Sequence, residues 1–146
     1  KNRLEVLVDN EINMLPFKQI KYLEWVEENK KVSFFVNGFD YQLDGVGVVG
    51  LLNVLTTGSV QLLMKRDVQI TRSNYVSGFS SARSVERGNA RTEFFLLEGN
   101  NLLPLTKKGK DNLEYFKPFE NEIKQFVKQE KLKWKKADDL IKIVDQ

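Results

Sequence analysis

Apolar and polar residues alternate with a period of two through the first two thirds of the chain. Leu4, Val6 and Val8 alternate with Arg3, Glu5 and Leu7, and Asp9-Asn10 follows with turn chemistry, so the pattern predicts a strand closed by a tight turn. Ile12–Leu15 ends at Pro16. Ile20–Val26 and Val32–Val36 read as two strands joined by the polar stretch Glu27-Glu28-Asn29-Lys30. Asn37-Gly38 closes the second of them, and Phe39–Leu43 is expected to pair back across that turn. A strand over Val48–Leu55, the turn Thr56-Thr57-Gly58-Ser59 and a long strand over Val60–Thr71 come next. In that long strand Val60, Leu62, Met64, Val68 and Ile70 share one face. Its length exceeds the ordinary strand of about five or six residues, which predicts a bend or bulge near Arg66, the charged residue on the apolar face.

The pattern breaks over Asn74–Ala90, where Ser and Gly accumulate and an exposed loop is expected. Order returns at Arg91, and Phe94–Leu97 with Leu102–Leu105 flank Glu98-Gly99-Asn100-Asn101 as a further hairpin. After Thr106 the period becomes helical. Asp111–Phe116 suits a short helix. Pro118 suits the first turn of a second, with Phe119, Ile123, Phe126 and Val127 at the i, i+4, i+7, i+8 positions of one stripe. A final helix carries Leu140, Ile141 and Val144. Strands followed by helices predict an α+β fold: an antiparallel β-sheet or partly open barrel over residues 3–105, with C-terminal helices of residues 106–146 packed on it.

Composition then narrows the chemistry. The 146 residues suit a single domain, 1–146, that can bury a core without disulfides or metal. With no His and no Cys, a Ser-His-Asp triad, a thiolate nucleophile and an ordinary zinc site are excluded. Glu27/Glu28 and Asp138/Asp139 are sequence neighbours, one pair in a turn and the other in a helix first turn, where negative charge favours the helix dipole. The string Gly45-Val46-Gly47-Val48-Val49-Gly50 fits G-x-G-x-x-G. However, the stretch before Gly58 is too short for the helix a dinucleotide site needs, and the glycines read instead as a bent approach to a hairpin. These readings predict no catalytic residue, no cofactor and no metal, hence a protein that is not an enzyme.

The net charge of +3 demands no strongly charged partner. The Lys-rich C-terminal part has no Arg and is diluted by acidic residues, so it reads as a solvated helical face and not as a nucleic-acid site. The candidate binding residues are Arg72, Arg83, Arg87 and Arg91, whose guanidinium groups suit phosphate or carboxylate, with Tyr75 and Phe79 beside them as stacking or anchoring groups. Trp134 and Trp25 are further anchors, and ten Phe and two Trp give aromatic surface suited to protein contact. No apolar run reaches the ~20 residues of a membrane span, and the start at Lys1 is read as a processed or truncated N-terminus.

The C-terminal run Phe119-Glu120-Asn121-Glu122-Ile123-Lys124-Gln125-Phe126-Val127-Lys128, the basic stretch Lys131–Lys136 around Trp134 and the segment Asp138–Val144 follow a strand Val60–Arg66. In order and pattern, residues 47–146 resemble a broad group of exported cell-envelope proteins of Bacteroidetes-type bacteria. Those proteins have a signal peptide, a β-rich region and a Lys-rich helical C-terminus. The resemblance implies a periplasmic or outer-membrane-associated location and an accessory or structural role in an envelope complex with other proteins. It brings no catalytic residue with it. The alternative is a small-ligand or anion-binding module using the Arg-rich stretch 72–91.

Overall fold

A computed structural model describes residues 3–72 and 86–146, with side chains described for 3–67 and 90–146. Two strands, β1 (Arg3–Val8) and β2 (Glu11–Pro16), form a small antiparallel sheet of their own, in register from Arg3 opposite Pro16 to Val8 opposite Glu11. Their two-residue turn holds Asp9 and Asn10 at φ 51° and 64°. Both are left-handed, as a turn matching the strand twist requires, and Asp and Asn tolerate that region better than most residues.

The other strands form one sheet. They are β3 (Tyr22–Val26), β4 (Val32–Asn37), β5 (Gln42–Leu43), β6 (Val46–Gly47), β7 (Leu51–Val54), β8 (Gln61–Arg72), β9 (Glu86–Glu98) and β10 (Asn101–Leu105). Their order is β3-β4-β7-β8-β9-β10-β5-β6, antiparallel throughout except where Asn101 of β10 lies parallel to Gln42 of β5. The sheet is open, not a barrel: β3 ends it on one side and β6 on the other.

Adjacent residues of the central strands are buried on opposite faces. Leu62, Phe94 and Leu96 pack under the helices against Leu113, Phe116, Ile123, Leu140 and Ile143. Leu63, Phe95 and Leu102 pack on the reverse face against Leu52 and Val48, with Tyr41 and Leu43 beside them. The helical layer comprises α1 (Gly109–Asn112), a 3-10 stretch over Leu113–Phe119, α2 (Glu120–Gln129) and α3 (Ala137–Val144). The predicted Pro118 start is displaced. Phe116 leaves helical geometry, Pro118 stays in the 3-10 stretch, and α2 begins two residues later.

Three expectations are corrected. The segment Phe39–Leu43 does not pair across Asn37-Gly38, because β4 already has β3 on one side and β7 on the other. Instead Asn37 starts a 3-10 turn over Gly38–Asp40. Its Oδ1 accepts from the Phe39 N–H, and its Nδ2 donates to the Phe17 and Ile20 carbonyls at 2.9 and 2.8 Å. The long strand carries no bulge at Arg66, since its register with β9 runs unbroken from Gln61 opposite Leu97 to Arg72 opposite Glu86. Arg66 is exposed where it stands, so a charge on that face needs no bulge to reach water. The expected loop also gives way to strand over residues 86–90, which belong to β9. Beyond Met64 and Phe94 neither β8 nor β9 has a second neighbour among the described residues, and the two continue as a two-stranded arm.

Candidate functional site

The helices cover the β8–β10 side of their sheet face. On the same face, Leu23, Phe35, Asn53 and Met64 follow one another across β3, β4, β7 and β8 as register neighbours. They form the floor of an open trough of about 640 Å³, with Leu4, Phe17 and Trp25 along its sides and Lys65, Arg66 and Asp67 at its β8 end. Leu4 brings the β1–β2 ribbon to this rim, and Phe17 follows directly on β2.

The ribbon is apolar at positions of both parities, which gives it two apolar faces. Leu4 and Val6 are half-buried, whereas Leu7 and its cross-strand partner Ile12 are each 68% exposed. Met14 and Leu15 are exposed beside them. On the edge of the large sheet Trp25 is 60% exposed, and Tyr22, Val26, Val32 and Phe34 are exposed as well. Tyr22 and Phe34 stack on each other with ring centroids 6.0 Å apart. In all, ten of the fourteen exposed large apolar side chains among the described residues fall between Leu7 and Phe34. A monomeric surface scatters such side chains singly, whereas here most of them fall on one ribbon and on the two faces of one sheet edge.

Of the residues singled out from the sequence, Tyr75, Phe79 and Arg83 lie outside the described residues. Arg72 and Arg87 stand on strands, Arg72 opposite Glu86 and Arg87 opposite Thr71 on the arm, and Arg91 stands opposite Asp67. The Arg91 guanidinium bonds the Glu93 carboxylate at 2.8 Å, and Lys65 bonds Asp67 at 2.9 Å, so charges along the arm answer one another. Arg91 and Trp134 come together: both line a second open cleft of about 640 Å³, with Lys107, Lys135, Asp44 and Glu93. Trp134 also fills structural space. Its ring lies 6.3 Å from that of Phe116, and it covers Gly109, where a Cβ would collide with the indole nitrogen.

The glycine string resolves into turns. Asp44 and Gly45 (φ 51° and 79°) make the two-residue turn between β5 and β6, Gly47 lies in β6, and Gly50 (φ 107°) leads into β7 with no helix after it. Asp139 accepts from the Lys133 main-chain N–H at 3.0 Å, tying the basic connector to α3. Among the described residues no three Asp or Glu side chains gather as metal ligands. Among the described residues Tyr41 and Glu120 have displaced pKa values, and neither lines the trough. Burial, followed by the Asp40 charge, raises that of Tyr41; the hydrogen bond and charge of Lys124 lower that of Glu120.

Sequence reasoning picked Trp25 from this surface and missed Leu7, Ile12, Met14, Tyr22 and Val26. The signal was apolar content at both parities, in β1 and β2 for Leu7, Ile12 and Met14 and in β3 for Tyr22 and Val26, where a one-faced strand would show only one. No protein-family model, curated protein or solved structure matches the chain.

Proposed function

We propose that this chain is a non-enzymatic protein-binding domain that makes contact through its N-terminal third, and that it serves as an accessory or structural subunit of a bacterial cell-envelope assembly. The observation behind the contact surface is the concentration of exposed Leu7, Ile12, Met14, Tyr22, Trp25 and Val26 on one ribbon and its neighbouring sheet edge. A two-stranded ribbon is marginal in water by itself, and one with apolar residues on both faces gains stability when a partner covers it. Exposed Trp and Tyr are the residue types that dominate binding energy at such surfaces. The envelope setting rests on the resemblance carried by residues 47–146. No helix among the described residues is long and apolar enough to cross a membrane.

The test is affinity purification of the tagged chain from gently crosslinked source cells, in the wild type and in the double variant Leu7→Arg/Ile12→Glu. Both positions are exposed and directly opposite each other, so the two introduced charges pair across the ribbon and the variant keeps its circular dichroism spectrum. A stoichiometric partner recovered with the wild type and lost with the variant supports the reading. Equal recovery with both removes it.

A second reading assigns anion binding to the cleft of Arg91, Lys107, Lys135 and Trp134, because its three cations outnumber its two acids, Asp44 and the Arg91-bonded Glu93, beside a half-buried indole. Titration with inorganic phosphate, followed by indole fluorescence in a Trp25→Phe background that leaves Trp134 as the sole tryptophan, tests it. Saturable quenching that Arg91→Ala abolishes supports this role, and equal weak quenching in both proteins excludes it.

A further inference from the structure

The large sheet has two outer strands, and they differ. On one side β6 is only two residues long and is held by the Asp44-Gly45 turn. On the other, β3 presents five residues in unbroken register, Tyr22 opposite Val36 to Val26 opposite Val32. Proteins blunt exposed edges with short strands, lysines, prolines or bulges, and between Tyr22 and Val26 there is no Lys, no Pro and no bulge. Two main-chain bonds fix which groups face outward. The Asn37 N–H donates to the Lys21 carbonyl at 3.3 Å, and the Glu27 N–H donates to the Lys31 carbonyl at 2.9 Å. Antiparallel pairs alternate between bonded and non-bonded, so Leu23–Phe35 and Trp25–Ser33 are the bonded pairs of the ladder. The N–H and C=O groups of Tyr22, Glu24 and Val26 therefore point away from β4, and none has a hydrogen-bond partner among the described residues.

We infer that β3 accepts an extended segment of a partner protein as an added strand, with Lys or Arg opposite Glu24 and apolar residues on either side of it. This deepens the protein-binding reading and rests on it. Main-chain bonds to Tyr22, Glu24 and Val26 supply affinity, and alternate side chains supply specificity. Residues facing Leu23 and Trp25 enter the trough beside Phe17 and Phe35. Those facing Tyr22 and Val26 cover exposed apolar surface. The charge follows from the edge itself: from Tyr22 to Asn29 the chain carries Glu24, Glu27 and Glu28 and no basic residue. The same acid disfavours a second copy. Full antiparallel overlap of two β3 strands through their outward groups sets Glu24 against Glu24, and like charges directly opposite are destabilising.

The probe is the peptide Val-Ile-Lys-Ile-Val with serine flanks, added to the full chain, with amide hydrogen exchange read residue by residue. Saturable binding is expected, with exchange at Tyr22, Glu24 and Val26 slowed about tenfold or more and little change at Leu23 and Trp25, which already bond β4. Replacing the peptide Lys by Glu weakens binding about tenfold, and Glu24→Lys reverses the preference between the two peptides. No saturable binding, protection without this alternation, or no preference between the peptides overturns the inference.

Glu24→Pro separates this inference from the reading beneath it. It removes one outward donor and spares the ladder to β4, since that N–H makes no bond there. In the affinity purification, loss of the partner with Leu7→Arg/Ile12→Glu but not with Glu24→Pro rejects the added strand and leaves the protein-binding reading intact. Retention of the partner by both variants rejects both.

Discussion

Asn112 and Thr106 are joined by two hydrogen bonds: the Thr106 N–H donates to Asn112 Oδ1 at 2.8 Å, and Asn112 Nδ2 donates to the Thr106 carbonyl at 2.8 Å. The carboxamide completes the main chain where β10 ends, as a neighbouring strand would, and it fixes the first helical turn to the sheet. Asn112 is wholly buried, so water does not replace it. Asn112→Ala leaves both main-chain groups without this partner and is expected to cost about 2 kcal/mol. For a chain of this size that lowers the melting temperature by roughly 6 °C. Thermal unfolding followed by circular dichroism checks this, and an unchanged melting temperature contradicts it.

Gly38 and Gly45 make opposite predictions although both are glycines of turns. A Cβ on Gly38 would lie 2.5 Å from the Val48 carbonyl oxygen and 2.8 Å from that of Gly50, and both are main chain that cannot swing aside. Gly38→Ala is expected to destabilise by about 2 kcal/mol or more. Gly45 faces open space and requires only a left-handed residue, so Gly45→Asn is expected to cost less than about 1 kcal/mol. Urea denaturation of the two variants compares them. The reverse order would contradict the close main-chain approach at Gly38 and the open space at Gly45.

Burial lifts the Tyr41 phenol above the ordinary tyrosine value, and the Asp40 carboxylate adds to the shift. The folded value is raised over the unfolded one, so this stabilising contribution is full below the ordinary tyrosine range, about pH 10, and is lost as pH rises through the folded value. Phenolate absorbance should show that the group removed by Tyr41→Phe titrates above the ordinary value, and that Asp40→Asn moves it part of the way down. A Tyr41 titration at or below the ordinary value contradicts this placement.

The elements legible in the sequence are those whose instructions are local. Asp9-Asn10 and Gly99-Asn100 carry the turn chemistry their hairpins use, and the alternation of Leu62 with Met64 and the stripe around Ile123 report faces that are buried. What stayed illegible depends on distant partners. Gln42–Leu43 pairs with β10 because β4 is already flanked on both sides, a fact no feature near Asn37-Gly38 records. Glu86–Ala90 has almost no apolar content and is strand only through its ladder with β8, so its composition reads as loop. The exposed apolar surface was hidden for the same reason. That Trp25 is exposed follows from helices that cover only the β8–β10 side of its face, whereas Tyr22 stands on the reverse face beside Val36; hydrophobic periodicity does not say which apolar face goes uncovered.

The central claim is that another protein covers the N-terminal third in the working state. A photoreactive amino acid placed singly at Ile12, Trp25, Tyr115 and Lys142 in the source cell tests it most directly, because all four are exposed and only the first two lie on the proposed surface. The account predicts one discrete crosslinked product, of the same mass, from Ile12 and Trp25 and none from Tyr115 or Lys142. Crosslinks from the helical positions alone, or none from Ile12 and Trp25, would contradict it.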